Sequence, residues 1–529
     1  MFDWLIQNAH VVDGERGEFQ ADVALSGERI AAVLPPHSGA QAAHEVVATG
    51  LWLMPGIVDI HRHADLAPFA QGLGCELAQG ITTMVSGNCG FSPAPNAPQT
   101  FDAMRAYAMP ILGEIPEAVR GMSTAAFYEA VEKRPLFVNC GYLAGNGDLR
   151  RSVAGFSDAP LSAKQMDRIC GLLDEAFDAG ALGLSMGIMY TPECYYSTAE
   201  LATVAKVAAR RGRPVIAHIR GEGGSVLSSV EEMLQIGRAS GARIHISHMK
   251  AAGTDMWGWA VDQMLERIRR AQREGLDVTF DAYPYTAGST TLLSLFPPEM
   301  LAEGTQGVLR LIADAQGRKR VLKAFETARS GWDNFIITLG WGRVTVAGSS
   351  QASEVGRTIE ALAEQAGCTP GEYALDMLLR EDGCVPVVLE EMAQEDVDKI
   401  LCQPDCLVIS DSLYSASGRP HPRKHGAFQR FLCRYVKEKG LLSPAQAVGK
   451  MTCLPAQFMG LKERGSVKEG YFADLVLMDW ERLKDRATYL EPERESEGIE
   501  TVFVNGSPAW QKGAASRAHA GKLLRGDRT

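Results

Sequence analysis

Residues 56–63 read Gly-Ile-Val-Asp-Ile-His-Arg-His, a short apolar run that ends in two histidines two positions apart. A continuous rather than alternating apolar run suits a parallel strand buried on both faces. A period of two then aims His61 and His63 to the same side of that strand. The pattern recurs seven times along the chain, at ITTMVSG (81–87), LFVNCGYL (136–143), ALGLSMG (181–187), PVIAHI (214–219), RIHISH (243–248), DVTFDAY (277–283) and CLVISD (406–411). Helix-like segments separate several of these runs, among them residues 162–180 and 198–212. Eight strand–helix repeats predict an α/β fold, a closed parallel (β/α)8 barrel of the TIM type.

The two ends read differently. Residues 4–12, 21–27 and 28–36 are short aliphatic runs punctuated by Gly, Asp and Pro, and similar runs return at 473–480 and 501–510. Both ends are therefore expected to meet in one small β-sandwich, formed by residues 1–55 and 456–510, with the barrel (56–455) inserted between them. The 284–405 gap is too long for one crossover, so a lid or subdomain is expected at about 285–345, and residues 511–529 form a tail.

The chain has 529 residues, 46% of them hydrophobic, which is ample for a large core. A net charge of −11 argues against nucleic acid as a partner, since phosphate binding needs clustered Lys and Arg. The one basic stretch, Lys512, Arg517, Lys522, Arg525 and Arg528, reads as a solvated, frayed tail. The start lacks the basic region of a secretory signal, and no apolar run approaches the roughly 18–20 residues of a membrane span. The 11 cysteines are scattered, as suits reduced thiols in the cytoplasm.

Active sites of such barrels sit at the carboxyl ends of the strands. The first strand ends in His61 and His63, the second runs into Cys89, the fifth ends at His218, the sixth at His248 and the eighth at Asp411. Imidazole, thiolate and carboxylate are the common zinc ligand types. Singly, each side chain reads as structural: a hydrogen-bonded histidine, a small buried cysteine, a capping aspartate. Together on one rim they read as a metal site. His245 falls on the opposite strand face and reads as structural, His10, His37, His44 and His519 lie outside the barrel, and the glycines of residues 221–224 read as a flexible loop.

These residues carry a resemblance. MPGIVDIHRH (54–63) is similar to the opening of the amidohydrolase superfamily. SGNCGFSPAP, SMGIMYTP, AHIRGEG, ISHMK, DAYPYTAGST, GRPHPRKHGAF and the segment 451–479 resemble, in order, the D-aminoacylase (N-acyl-D-amino-acid deacylase) branch, over roughly residues 1–510. Most superfamily members bridge their metals with a carbamylated lysine. ALGLSMG has none, which agrees with a bridging cysteine.

The resemblance implies one tightly bound zinc on Cys89, His218 and His248, and a second, weaker site on His61, His63 and Asp411 that shares Cys89. It implies Asp411 as catalytic acid/base, and Lys250, Tyr190, Tyr283 and either Arg419 or Arg423 as groups holding the substrate carboxylate. Arg62 departs from the family, which commonly has a small residue between the two histidines and an acid directly after them. The activity implied is hydrolysis of the amide of an N-acyl-D-amino acid, a small-molecule substrate. The loop after the seventh strand carries no cation, so a neutral or apolar side chain is expected, with Leu292, Leu293 and Phe296 as pocket wall. A cyclic amidohydrolase of the hydantoinase or dihydroorotase type, or a deacylase of another small N-acyl amine or dipeptide, is the alternative.

Overall fold

The computed structural model describes residues 1–69, 74–328, 331–414, 418–511, 513–516 and 519–527. The chain opens with β1 (Phe2–Asp13), β2 (Gly17–Ser26), β3 (Arg29–Leu34), β4 (Ala42–Val47) and β5 (Trp52–Pro55). Short strands separated by helices follow: β6 (Ile57–Asp59), β7 (Ile81–Ser86), β8 (Asn139–Tyr142), β9 (Ala144–Gly145), β10 (Leu184–Gly187), β11 (Val215–His218), β12 (Ile244–Ile246) and β13 (Val278–Ala282). Next come β14 (Ala287–Thr291), β15 (Val344–Val346), β16 (Pro386–Glu390) and β17 (Cys406–Val408), and the chain finishes with β18 (Leu475–Met478), β19 (Ile499–Val504), β20 (Ser507–Gln511) and β21 (Ala514–Ala515).

Each of the eight apolar runs contains a parallel strand, and the two quoted helical segments fold as Ala163–Ala179 and Thr198–Arg210. Ser162 with Gln165, and Ser197 with Glu200, form reciprocal caps that satisfy the first free N–H groups of these helices. The parallel strands pair as two ladders, β6-β7-β8 and β17-β13-β12-β11-β10-β9, rather than as one closed ladder. At the outer ends the two sheets touch: Asp411 N–H donates to the His61 carbonyl at 2.9 Å and His63 N–H to the Ser412 carbonyl at 3.0 Å.

The chain ends do share a sheet, as expected, but the pairing is one nine-stranded sheet, in the order β21-β20-β19-β18-β5-β1-β2-β3 with β4 on β1, not two facing ladders. Its own apolar cluster draws on both ends, from Ile6 and Val23 to Leu475 and Phe503. The sheet docks where Gly14 meets Gly449, in the helix Pro444–Met451, without room for a Cβ. β14, β16 and β15 form a separate antiparallel sheet with helices and a second apolar cluster. Leu292, Leu293 and Phe296, expected as pocket wall, are buried in that cluster instead.

The tail is not frayed where it is described. Lys522 and Leu524 bond both sides of Cys140 in β8, at 2.9 and 2.7 Å, and Gly526 N–H donates to the Gly180 carbonyl at 2.9 Å. Residues 521–526 thus lie between β8 and the entry to β10. Of the basic residues assigned to the tail, Lys512, Arg517 and Arg528 lie outside the described residues, and Lys522 and Arg525 pair with Glu28 and Glu132. Among the described residues no helix is long and apolar enough to cross a membrane.

A Cβ at position 14 would meet backbone atoms that cannot rotate away. Gly14→Ala is expected to cost about 1–3 kcal/mol, as overpacking does. Urea unfolding measures this, and an unchanged midpoint would mean that the sheet shifts freely on the helix.

Candidate functional site

Three chemistry-bearing residues sit at strand ends with left-handed backbone: Cys89 (φ 52), His248 (φ 33) and Asp411 (φ 48). A non-glycine residue held there costs about 1–3 kcal/mol and persists only where its surroundings over-determine it. The surroundings are specific. Asn88 Nδ2 donates to the Val85 carbonyl at 3.0 Å and to that of Ile60 at 3.3 Å, and Ser185 Oγ accepts from Gly90 N–H at 2.9 Å while donating to the Gly87 carbonyl. A side chain on Gly187 would collide with the Cys89 carbonyl. His248 N–H donates to Asp281 Oδ1.

These turns gather the candidate ligands in one buried place. Cys89 Sγ is 3.4 Å from His61 Nε2 and 3.5 Å from His248 Nε2. Asp411 Oδ1 is 3.4 Å from His61 Nε2 and 3.5 Å from His63 Nε2. The His218 ring centroid is 4.5 Å from that of His248. Two ligands bound at about 2.0–2.3 Å to one tetrahedral zinc stand about 3.5 Å apart, so these spacings fit such an ion. The atoms form three interlocking sets, His61–Cys89–His248, His61–His63–Asp411 and His218–Glu222–His248, each within 4.8 Å. Cys89 thus groups with His61 and His248, while His218 groups with Glu222. Burial raises the Cys89 thiol, but His61 and hydrogen bonds from His218 and His248 override it and hold the thiol well below its usual value. That direction favours the thiolate, the form that binds metal.

Two supporting carboxylates escaped the sequence reading. Asp281 accepts from His245 Nε2 at 2.8 Å and from His248 N–H, and lies 3.6 Å from His61 Nδ1, so the histidine read as structural is the partner of the acid that holds the His248 backbone. Glu222, in the loop read as merely flexible, is buried. It stands 2.7 Å from Lys250 Nζ and 3.0 Å from His248 Nδ1, leaving His248 Nε2 to face Cys89. Asp281 is the penultimate residue of β13, a polar residue near the carboxyl end of an apolar run, and could have been found by that signal. Glu222 had no such signal, because glycines flank it.

Arg62 turns away from the cluster and is wholly buried. Its guanidinium donates to Tyr414 Oη at 2.9 Å, Glu76 Oε1 at 2.9 Å, Ser410 Oγ at 3.1 Å and Asp59 Oδ2 at 3.3 Å. The residue that departs from the family pattern therefore ties β6, the helix Gly74–Ala78 and the segment after β17 together behind the ligands.

The ligand cluster opens into a small cavity lined by His63, Cys89, His218, His248 and Asp411. Lys250, Tyr190, Tyr283 and Arg423 also line it, while Arg419 does not. Arg419 instead donates its N–H to the Ala347 carbonyl at 2.6 Å. Arg423 Nη1 pairs with Asp411 Oδ2 at 2.9 Å and Nη2 donates to the Ser289 carbonyl at 3.4 Å, while Arg423 Nε has no acceptor among the described residues. Burial raises the Asp411 carboxyl, yet Arg423 and His61 outweigh it and hold the carboxyl well below the usual range. Asp411 is an ionised carboxylate with a cation at its back.

The sequence pattern of the Amidohydrolase family matches residues 45–509. The chain is 34% identical to an N-acyl-D-glutamate deacylase of Alcaligenes xylosoxydans xylosoxydans, over 99% of this chain and 97% of the relative. It is 31% identical to a D-aminoacylase of the same organism, with the same coverage. A crystal structure of N-acyl-D-glutamate deacylase from Bordetella bronchiseptica, complexed with zinc and a phosphonate mimic of the tetrahedral intermediate, superposes with a TM-score of 0.84 at 32% identity, over 99% of each chain.

Removing Arg62 would leave Asp59 and Glu76 buried without their cation. Arg62→Met is expected to cost about 3–5 kcal/mol, read by urea unfolding. A loss below about 1 kcal/mol would assign the network no role in holding the rim.

Proposed function

The chain belongs to the amidohydrolase family, and from that premise we propose that it is a zinc-dependent deacylase of N-acyl-D-amino acids, releasing a carboxylic acid and a free D-amino acid. The observation that carries this reading is the meeting of the Cys89–His61–His248 set with Asp411, held ionised beside Arg423, on one cavity. Relatives named for this activity cover nearly the whole chain.

Cys89, His218 and His248 would hold the tightly bound zinc, and His61, His63 and Asp411 with Cys89 a second, weaker one. Zinc supplies polarisation of the amide carbonyl and acidification of water at neutral pH. Asp411 accepts the proton of the attacking water and delivers it to the departing amide nitrogen, as general base and then general acid. Arg423 lines the cavity with its Nε unpartnered and takes the substrate α-carboxylate, which favours Arg423 over Arg419. Lys250, beside Glu222, adds positive charge to the same pocket, and Tyr283 lies against Arg423, 4.6 Å from ring centroid to guanidinium carbon. Tyr190, whose ring is 4.8 Å from that of His218, closes the other side. With no cation among the described lining residues beyond Lys250 and Arg423, an uncharged side chain fits better than an acidic one. The apolar wall is Ile111, Met189, Phe335, Leu389 and Leu413 rather than the leucines first expected.

The proposal extends to architecture. The bonds between the His61–His63 and Asp411–Ser412 segments support closure of the parallel strands into a (β/α)8 barrel. The separate apolar clusters support a β-sheet unit of residues 1–55 and 456–510 beside a barrel of 56–455, with an inserted unit that runs on to Glu390 rather than stopping near 345. All 11 cysteines are free thiols, which supports a cytoplasmic location.

Asp411→Asn is expected to retain the tighter zinc and lose at least ~10²-fold in turnover. Metal analysis with steady-state kinetics checks both, and near-normal turnover removes Asp411 from the chemistry. Cys89→Ala is expected to lower zinc affinity by at least ~10²-fold, since both proposed sites lose their shared thiolate. Competition with a chelator measures this. The activity itself is tested by screening N-acyl-D- and N-acyl-L-amino acids against zinc-loaded protein for free amine, and hydrolysis confined to the L series refutes the stereochemical assignment.

A further inference from the structure

One carboxylate on the cavity has no task in the reaction proposed above. Glu391 lines the cavity and is 5% exposed, and no hydrogen bond or ion pair from a described residue reaches its carboxylate. The cavity's other acidic side chains are engaged. Glu222 holds Lys250 at 2.7 Å, and Asp411 faces Arg423 at 2.9 Å.

The position of Glu391 is fixed by its backbone. Its carbonyl accepts from Gly253 N–H and from Trp257 Nε1, each at 3.0 Å, and its N–H donates to the Thr286 carbonyl at 3.3 Å. The side chain lies over Gly288 in β14, where any Cβ would collide with Oε1. Tyr283 Oη borders the same spot, 3.3 Å from that Cβ position. The carboxylate is thus aimed into space that only a glycine leaves open. Burial pushes its carboxyl up to about 7, against the pull of Lys250, as for an acceptor without a donor.

Neither carboxylate oxygen is sealed from solvent, so both face the open cavity, and a substrate that displaces water there must supply a donor in its place. We propose that Glu391 is a specificity-determining residue that accepts a hydrogen bond from a donor at the end of the substrate's side chain. This rests on the reading of the cavity as a site for N-acyl-D-amino acids and deepens it. Arg423 takes the α-carboxylate, and Glu391 reads the far end of the side chain. A substrate carboxylate there could bond Glu391 only after one of the two took up a proton, and a hydrocarbon would leave Glu391 unpaired. The preferred substrate then carries a side-chain amide, hydroxyl or ammonium.

N-acetyl-D-glutamine, N-acetyl-D-glutamate and N-acetyl-D-methionine are near-isosteric probes that differ in this one property. Zinc-loaded protein is expected to show a kcat/KM for the glutamine substrate at least ~10-fold above the other two, the size expected of a hydrogen bond to a charged partner. In Glu391→Gln, whose amide can also donate to a carboxylate, the glutamine-to-glutamate ratio is expected to fall at least ~10-fold. A ratio cancels any change in the fraction of folded enzyme. Hydrolysis with a ratio that Glu391→Gln leaves unchanged, or a wild-type preference for glutamate, overturns the role of Glu391 and leaves the deacylase reading standing. Zinc-loaded protein that hydrolyses none of the three overturns both.

Discussion

Left-handed backbone at Cys89, His248 and Asp411 is the constraint around which the molecule is arranged. Each lies two or three residues past the end of a parallel strand, where the turn carries a ligand-type side chain over the rim. Three such residues cost several kcal/mol in all, at about 1–3 kcal/mol apiece. That cost is met locally, by the Asn88 and Ser185 bonds, by Asp281 under His248, and by the His61 carbonyl under Asp411. The geometry of the cluster is thereby set before any ligand arrives, which is what precise catalysis requires.

Burying so many charges is possible because nearly all are paired. Glu222 with Lys250, Asp281 with His245, and Arg62 with Asp59 and Glu76 surround the cluster. Such pairs contribute little net stability, yet removing one member is expensive because the other is stranded. They act as spacers of fixed shape. Against this background an unpaired group stands out, and among cavity-lining carboxylates Glu391 is the one that no described residue engages.

Much of this was legible in the sequence. The parallel strands announced themselves as unbroken apolar runs, because burial on both faces removes polar alternation. His61, His63, His218, His248 and Asp411 were visible as the polar residues that terminate those runs, and Cys89 as one just beyond. What depends on pairing across the chain was not legible. Glu222 looked like loop filler because its partners are 26 and 28 residues away, at His248 and Lys250. Leu292 and Phe296 looked like pocket wall because an apolar residue after a strand does not say which of two cores it enters. The single end sheet, in place of facing ladders, follows from β1 pairing with β4 and then β5 along one edge, a register that propensities do not encode.

The segment 521–526 was read as frayed because it is polar and terminal, yet it lies along β8. Lys522 N–H meets the side chain of Asn139, 383 residues earlier in the chain. A ribosome making this protein must therefore deliver nearly every other described strand and helix before Lys522 emerges to join Thr83, Asp474 and Asn505 around Asn139. Until then the floor between β8 and β10 stays unzipped, and the nascent chain carries an open seam beneath an otherwise assembled site. Chaperones and proteases have the whole of that interval in which to find it.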